Sequence, residues 1–273
     1  SLAILIGLSL GLLGGGGSIL AVPVLKYAAG VSAKEAIATS LLVVGTTALF
    51  ALYQHARRGN VEWRTGFIFA ITAMIGAYGG GFAAHWFSGT TLLMLFAGMM
   101  LITALMMLRG RGELKARDEG KLPVMLVVAE GLAVGAATGL VGAGGGFLVV
   151  PALVLLGGME MHKAVGTSLM VISLKSFSAY AGHASHVSVD LELASWVTGG
   201  AVIGSVIGGL FAHRVPAQAL RKGFGVFVLL MAFYVVWREV GAQWALSGAG
   251  LLTLSLSAYY LTNRSTSSEI SPH

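Results

Sequence analysis

The chain has 273 residues, of which 56% are hydrophobic and 10% charged, with a formal net charge of +6 and no cysteine. Its mean hydropathy is +0.85, whereas a soluble domain carries about 25% charged residues. These values exclude an ordinary soluble domain, and the missing cysteines exclude disulfides, thiolate chemistry and iron–sulfur ligation.

The first predicted element covers residues 2–29 and contains "GLLGGGGSILAVPVL", Gly11–Leu25. A glycine tract normally reads as a flexible linker, but this one is flanked by leucine, isoleucine and valine. Three apolar spans follow, at 35–54, 65–86 and 90–108, each long enough to cross a hydrocarbon core of roughly 30 Å. Residues 1–108 form a first transmembrane repeat. The cationic stretch "RGRGELKARDEGK" marks an inter-repeat loop at 109–122. A second repeat, 123–238, opens with "GLVGAGGGFLVVPAL", Gly139–Leu153, inside a segment at 123–157. Its spans are 163–182, 192–212 and 219–237. An extra helix at 239–261 and a polar tail at 262–273 complete the chain.

The second half repeats the first. Shifting the sequence by 128 positions aligns 11–108 with 139–236 without a gap, and roughly 30 of the 98 positions are identical. Gly14, Gly16, Gly17 and Pro23 meet Gly142, Gly144, Gly145 and Pro151. Thr39-Ser40 meets Thr167-Ser168, and His55 meets His183.

Loop cations decide the relative orientation, because cytoplasmic loops collect lysine and arginine. If every apolar segment crosses once, the loop and tail cations divide nine to seven. If each glycine-broken segment returns to its own side, they divide thirteen to three, with only Lys26, Lys34 and Arg238 outside. The expectation is an all-α polytopic membrane protein with two inverted repeats. Each repeat starts with a Gly-broken helical hairpin, and one extra C-terminal span follows. The loop at 109–122 is then cytoplasmic.

Irregular backbone does not face lipid, since each unpaired N–H or C=O there costs several kcal/mol. It lines a cavity or packs on protein. Helices are expected to begin just after the glycines, at about Ser18 and Gly146, with positive, unpaired N–H ends that suit a small anion. Gly14, Gly15, Gly16, Gly17, Ser18, Gly142, Gly144, Gly145 and Gly146 are therefore candidate substrate-binding positions. Gly76, Gly80, Gly81, Gly204, Gly208 and Gly209 instead read as helix-packing glycines. No Gly-Lys-Ser/Thr follows either cluster, so a nucleotide-binding loop is unsupported.

These motifs, with "AIATSLL", "HARRGNVEWR" and "AVGTSLMVISLKSF", resemble the sulfite exporter TauE/SafE family over nearly the whole chain. The resemblance implies an inner-membrane protein that moves sulfur-containing oxyanions, such as sulfite or organosulfonates.

Thr39, Ser40, Thr167 and Ser168 lie near the starts of their helices, where hydroxyls can coordinate an anion or bond their own helix carbonyls. Lys175 is the one cation inside a span. A buried lysine is costly, and an anion is its natural partner. Its competing role is to snorkel toward the membrane edge. Glu130, His55 and His183 are candidates for proton coupling, or for pairing at the membrane edge. No metal ligand set is present, and no cofactor is expected. Trp63, Trp86, Trp196 and Trp237 read as interfacial anchors.

The expected function is secondary transport, as an exporter of a small anion bound near the midplane between two broken helices. The alternative is an anion channel using the same path. An enzyme is disfavoured, because no nucleophile–base pair is recognisable. The expected partners are a small anionic substrate and membrane lipid, with no nucleic acid; assembly as a homo-oligomer is left open.

Overall fold

Glycine and proline set the element boundaries. The computed structural model describes residues 2–109, 124–142, 144–212 and 214–241. The inter-repeat loop, the extra C-terminal span and the polar tail lie outside the described residues.

Helix α1 (Leu2–Leu13) stops at Gly14, whose φ of +70° suits a residue without Cβ. Helix α2 (Gly16–Pro23) reaches a proline, which lacks the N–H for a further α-type bond. The chain continues as one π turn, Val24–Ala28. Helix α3 (Ala33–Arg57) starts at Ser32, whose side chain accepts a bond from the Glu35 N–H. Helices α4 (Trp63–Ala83) and α5 (Gly89–Arg109) follow. The same order then recurs: α6 (Val124–Val141), α7 (Gly146–Pro151) with a π turn at Ala152–Leu156, α8 (Met161–Ala184), α9 (Leu191–Ala212) and α10 (Ala217–Val240). The helices run a few residues beyond the predicted spans, because their polar ends still form helical turns.

All regular structure among the described residues is helical. Five helices, α3, α4, α5, α9 and α10, are long and apolar enough to cross a membrane. Their outer faces carry the large apolar side chains. Phe67, Ile71, Ile75, Tyr78 and Phe82 make one exposed stripe along α4, at the spacing of a single helix face. Ser18, Thr39, Ser40, Thr167, Ser168 and Lys175 are buried instead. This arrangement suits a protein whose surroundings are hydrocarbon. Trp63, Trp86, Trp196 and Trp237 are exposed near helix ends.

Helices α3 and α8 run antiparallel through the centre. Just past the end of α3, Glu62 pairs with Lys163 at the start of α8, with Nζ and Oε1 2.9 Å apart. At the other end, Lys34 near the start of α3 donates to the carbonyl of His85. The His85 ring stacks on His186, just beyond α8.

Glycine faces bring the broken segments onto this pair. A Cβ on Gly76 would fall 2.3 Å from the Leu132 carbonyl oxygen, and one on Gly80 2.2 Å from that of Ala136. So α4 and α6 touch backbone to backbone and run in the same direction. Gly204 and Gly208 meet Ile4 and Leu8 in the same way, which joins α9 to α1. Both contacts are small-residue packing of the kind that lets membrane helices approach closely. Helix α7 and its π turn run back along α8, so the α6–α7 segment returns to the face where α8 starts. The α1–α2 segment returns to the face where α3 starts. There Lys26 pairs with Glu239 of α10, and Tyr27 donates to the same carboxylate at 2.7 Å.

Candidate functional site

The two breaks meet in the middle of the molecule. A Cβ on Gly15 would lie 2.3 Å from the carbonyl carbon of Gly146, and one on Gly146 would lie 2.4 Å from the Gly15 Cα. Gly144 packs on Val44 of α3, and Gly146 faces Ile172 of α8. These contacts lie near the midpoints of α3 and α8. Helix α2 begins at Gly16, two residues before the expected Ser18, because Ser18 turns inward and bonds the Gly15 carbonyl at 2.7 Å. Helix α7 begins at Gly146 as expected. The consecutive glycines have two tasks. Gly142, Gly144 and Gly145 hold φ between 58° and 65°, where an L side chain is strained. Gly15 and Gly146 allow one main chain to cross another.

Lys175 reaches into the second break. It is 1% exposed, and its Nζ donates to Thr138 Oγ1 at 2.7 Å. Thr138 in turn donates to the Val134 carbonyl at 2.7 Å. A Cβ on Gly145 would sit 2.1 Å from the Lys175 Nζ, so the missing side chain makes the room for the lysine head. Among the described residues, no carboxylate pairs with Lys175. An ammonium has three donors, and Thr138 takes one. Burying an uncompensated cation costs several kcal/mol, which an anion at this point would offset.

The predicted hydroxyls divide. Ser40 Oγ lies 2.7 Å from the Gly142 carbonyl oxygen and 2.8 Å from that of Ile37. Ser168 Oγ lies 3.3 Å from Gly14 O and 2.7 Å from Val165 O. A hydroxyl has one proton, and here every acceptor for it is a carbonyl. These serines therefore hold the start of the opposite break in place. Thr167 Oγ1 accepts from the Glu62 N–H at 2.9 Å and secures the start of α4. Thr39 Oγ1 is buried without a partner.

The histidines are braces. His55 Nε2 meets Gly11 O at 3.2 Å, and His183 Nε2 meets Gly139 O at 2.9 Å. Each ring donates from Nε2 to the helix that enters a break. Glu130 is half-buried on α6, two turns nearer that helix's start than Thr138, and does not join Lys175. The centre thus brings together Gly14–Ser18, Gly142, Gly144–Gly146, Ser40, Ser168 and Lys175. It leaves Glu130, Thr167 and the two histidines outside. Thr138 was missed in the sequence: its counterpart at the 128-residue offset is Leu10, so no repeated signal pointed to it.

A family model described as sulfite exporter TauE/SafE matches residues 1–235. A probable membrane transporter protein of Xylella fastidiosa (strain 9a5c) is 38% identical over 241 residues, covering 86% of this chain and 92% of the relative. The probable membrane transporter protein YdhB of Bacillus subtilis (strain 168) is 26% identical over 222 residues, covering 80% and 91%. A probable membrane transporter protein of Methanocaldococcus jannaschii is 29% identical over 202 residues, covering 70% and 73%. No solved structure matches.

Proposed function

The chain belongs to the sulfite exporter TauE/SafE family, and on that premise we propose that it is a secondary transporter of a small oxyanion, with sulfite or an organosulfonate as cargo. The family is one of membrane transporters rather than enzymes, and the chain is a multi-pass membrane protein. The observation that carries the proposal is Lys175. A buried lysine with no carboxylate partner among the described residues stands beside a glycine-broken backbone. The ammonium supplies charge. The glycine breaks supply N–H groups without helical partners and close backbone approach. The cargo is supported by the family's description.

The same reading takes the two halves as inverted repeats. Antiparallel α3 and α8, the returning hairpins and the exchanged contacts of α1 with α9 and α4 with α6 support it. So does charge: the α3–α4 turn and the starts of α8 and α10 carry Arg57, Arg58, Arg64, Lys163, Arg221 and Lys222 on one face. That face is assigned to the cytoplasm by the bias of lysine and arginine. Rocking of one half against the other would expose the central site to each side in turn.

Anion affinity of purified wild type and Lys175→Met, measured by calorimetry with sulfite, sulfate and an alkanesulfonate, tests the assignment. Loss of a charge-assisted bond, on the order of 1.5–3 kcal/mol, weakens binding roughly tenfold to a hundredfold. Equal affinities would remove Lys175 from the site.

A further inference from the structure

A second cationic site lies at the face opposite the arginine-rich one. A cavity of about 230 Å³ opens there, lined by Lys34, His85, His183 and His186 together with Gly81, Leu92 and Val187. Its volume equals roughly eight waters at about 30 Å³ each, enough for a small oxyanion with part of its hydration shell. Among the described residues, no carboxylate lines it. Lys34 gives one N–H to the His85 carbonyl at 3.2 Å and keeps two. The rings of His85 and His186 stack at 4.3 Å with planes 2° apart. Their Nδ1 atoms are engaged by the Phe82 carbonyl and by Ser185 Oγ, which leaves each Nε2 uncommitted. Glu35, beside Lys34, and Glu192, at the start of α9, are near this face but do not line the cavity. Asp190 caps the start of α9, and Glu239 is tied to Lys26 and Tyr27.

The opposite face treats the corresponding positions differently. At the 128-residue offset, Gly81 corresponds to Gly209 and His186 to Arg58. There Arg58 Nη1 donates to the Gly209 carbonyl at 2.6 Å. At these positions one face carries a hydrogen bond and the other a cavity. Leu41, Ala77 and Ala179 form an apolar cluster beneath that pocket. His183 in its wall and Lys175 are eight residues apart on α8, about 12 Å along the axis.

We propose that this cavity is an anion-binding vestibule, a way station for a small oxyanion between solvent and the Lys175 site. It rests on the transporter reading for its purpose, though not for its chemistry. Lys34 supplies the fixed charge and two further N–H donors, His186 supplies an Nε2–H donor in the tautomer whose Nδ1 accepts from Ser185, and the apolar cluster separates vestibule from centre.

The test uses the absence of cysteine in the chain. Val187→Cys places a thiol in the cavity wall, and Ser188→Cys places one just outside. Each is reacted with a sulfonate-bearing methanethiosulfonate and with its trimethylammonium counterpart, in vesicles of phosphatidylcholine alone so that no anionic lipid competes. Relative to a free thiol, the Val187→Cys variant is expected to favour the sulfonate reagent at least fivefold. Adding Lys34→Met should reduce that preference severalfold, and millimolar sulfate should protect the Val187→Cys thiol but not the Ser188→Cys thiol. No preference, a preference untouched by Lys34→Met, or no protection by sulfate overturns the vestibule. Preference and protection that are abolished by adding anionic lipid reassign the site to a lipid headgroup and overturn it equally. A protein that passes while moving no oxyanion keeps the vestibule and loses the transporter reading; oxyanion flux without any reagent preference in the Val187→Cys variant does the reverse.

Discussion

Gly15 and Gly146 lie main chain against main chain, so that a Cβ on Gly15 would fall 2.3 Å from the Gly146 carbonyl carbon. Neither backbone can yield without moving its hairpin. Gly15→Ala is expected to abolish transport and lower the melting temperature in detergent. Gly98, by contrast, meets nothing within 4 Å. Gly98→Ala should be neutral or stabilising by up to about 1 kcal/mol, since alanine is the better helix former. Wild-type transport by Gly15→Ala would show that the breaks separate freely.

Thr138 orients the Lys175 head. Thr138→Val keeps the shape and removes the acceptor, leaving the ammonium without its one partner; anion affinity should change at least fivefold. Thr138→Ser retains the oxygen and should stay within twofold of wild type. Calorimetry on the two variants separates the bond from the packing, and equal effects would assign Thr138 to packing alone.

Ser40 and Ser168 fasten the breaks. Loss of one such bond costs about 1 kcal/mol. Ser40→Ala should exceed Ser168→Ala, because Ser40 lies 2.7 Å from Gly142 O and Ser168 lies 3.3 Å from Gly14 O. Denaturation in detergent measures both. The reverse order would mean that the serines act chiefly through their own helix carbonyls.

Asn60 and Ser188 occupy equivalent positions of the two halves. In the inverted arrangement they face opposite sides of the membrane. Asn60→Cys should react with an impermeant thiol reagent only from the cytoplasmic side, and Ser188→Cys only from the other. Labelling from the same side would mean parallel repeats.

The glycine breaks were legible in the sequence because positive φ and main-chain crossings admit almost no other residue. Gly14, Gly142, Gly144, Gly145 and Gly146 declared themselves by type alone. The packing glycines were legible as faces but not as pairs. Spacing shows that Gly76 and Gly80 share a side of α4; only the tertiary fold shows that the side meets α6. Ser40 and Ser168 were visible as paired hydroxyls, yet whether a hydroxyl proton goes to an anion or a carbonyl depends on what stands opposite. Thr138 was not legible at all, since one hydroxyl in an apolar helix has no period. Lys34, His85 and His186 come from three separate turns, and no local pattern joins them.

The glycine faces of α1 have a consequence for biosynthesis. Gly7 and Gly11 are shaped to fit Ala201 and Ser205 of α9, which emerge from the ribosome 194 residues later. At about 5–20 residues per second, that is an interval on the order of ten to forty seconds. Throughout it, the bare side of the first hairpin has only lipid or the insertion machinery as a neighbour. Gly14 meanwhile lacks the serine that fastens it, because Ser168 is also still to come. Neither half is therefore expected to finish folding by itself. Residues 1–108 expressed alone should be degraded, and should be rescued when residues 109–273 are made in the same cell.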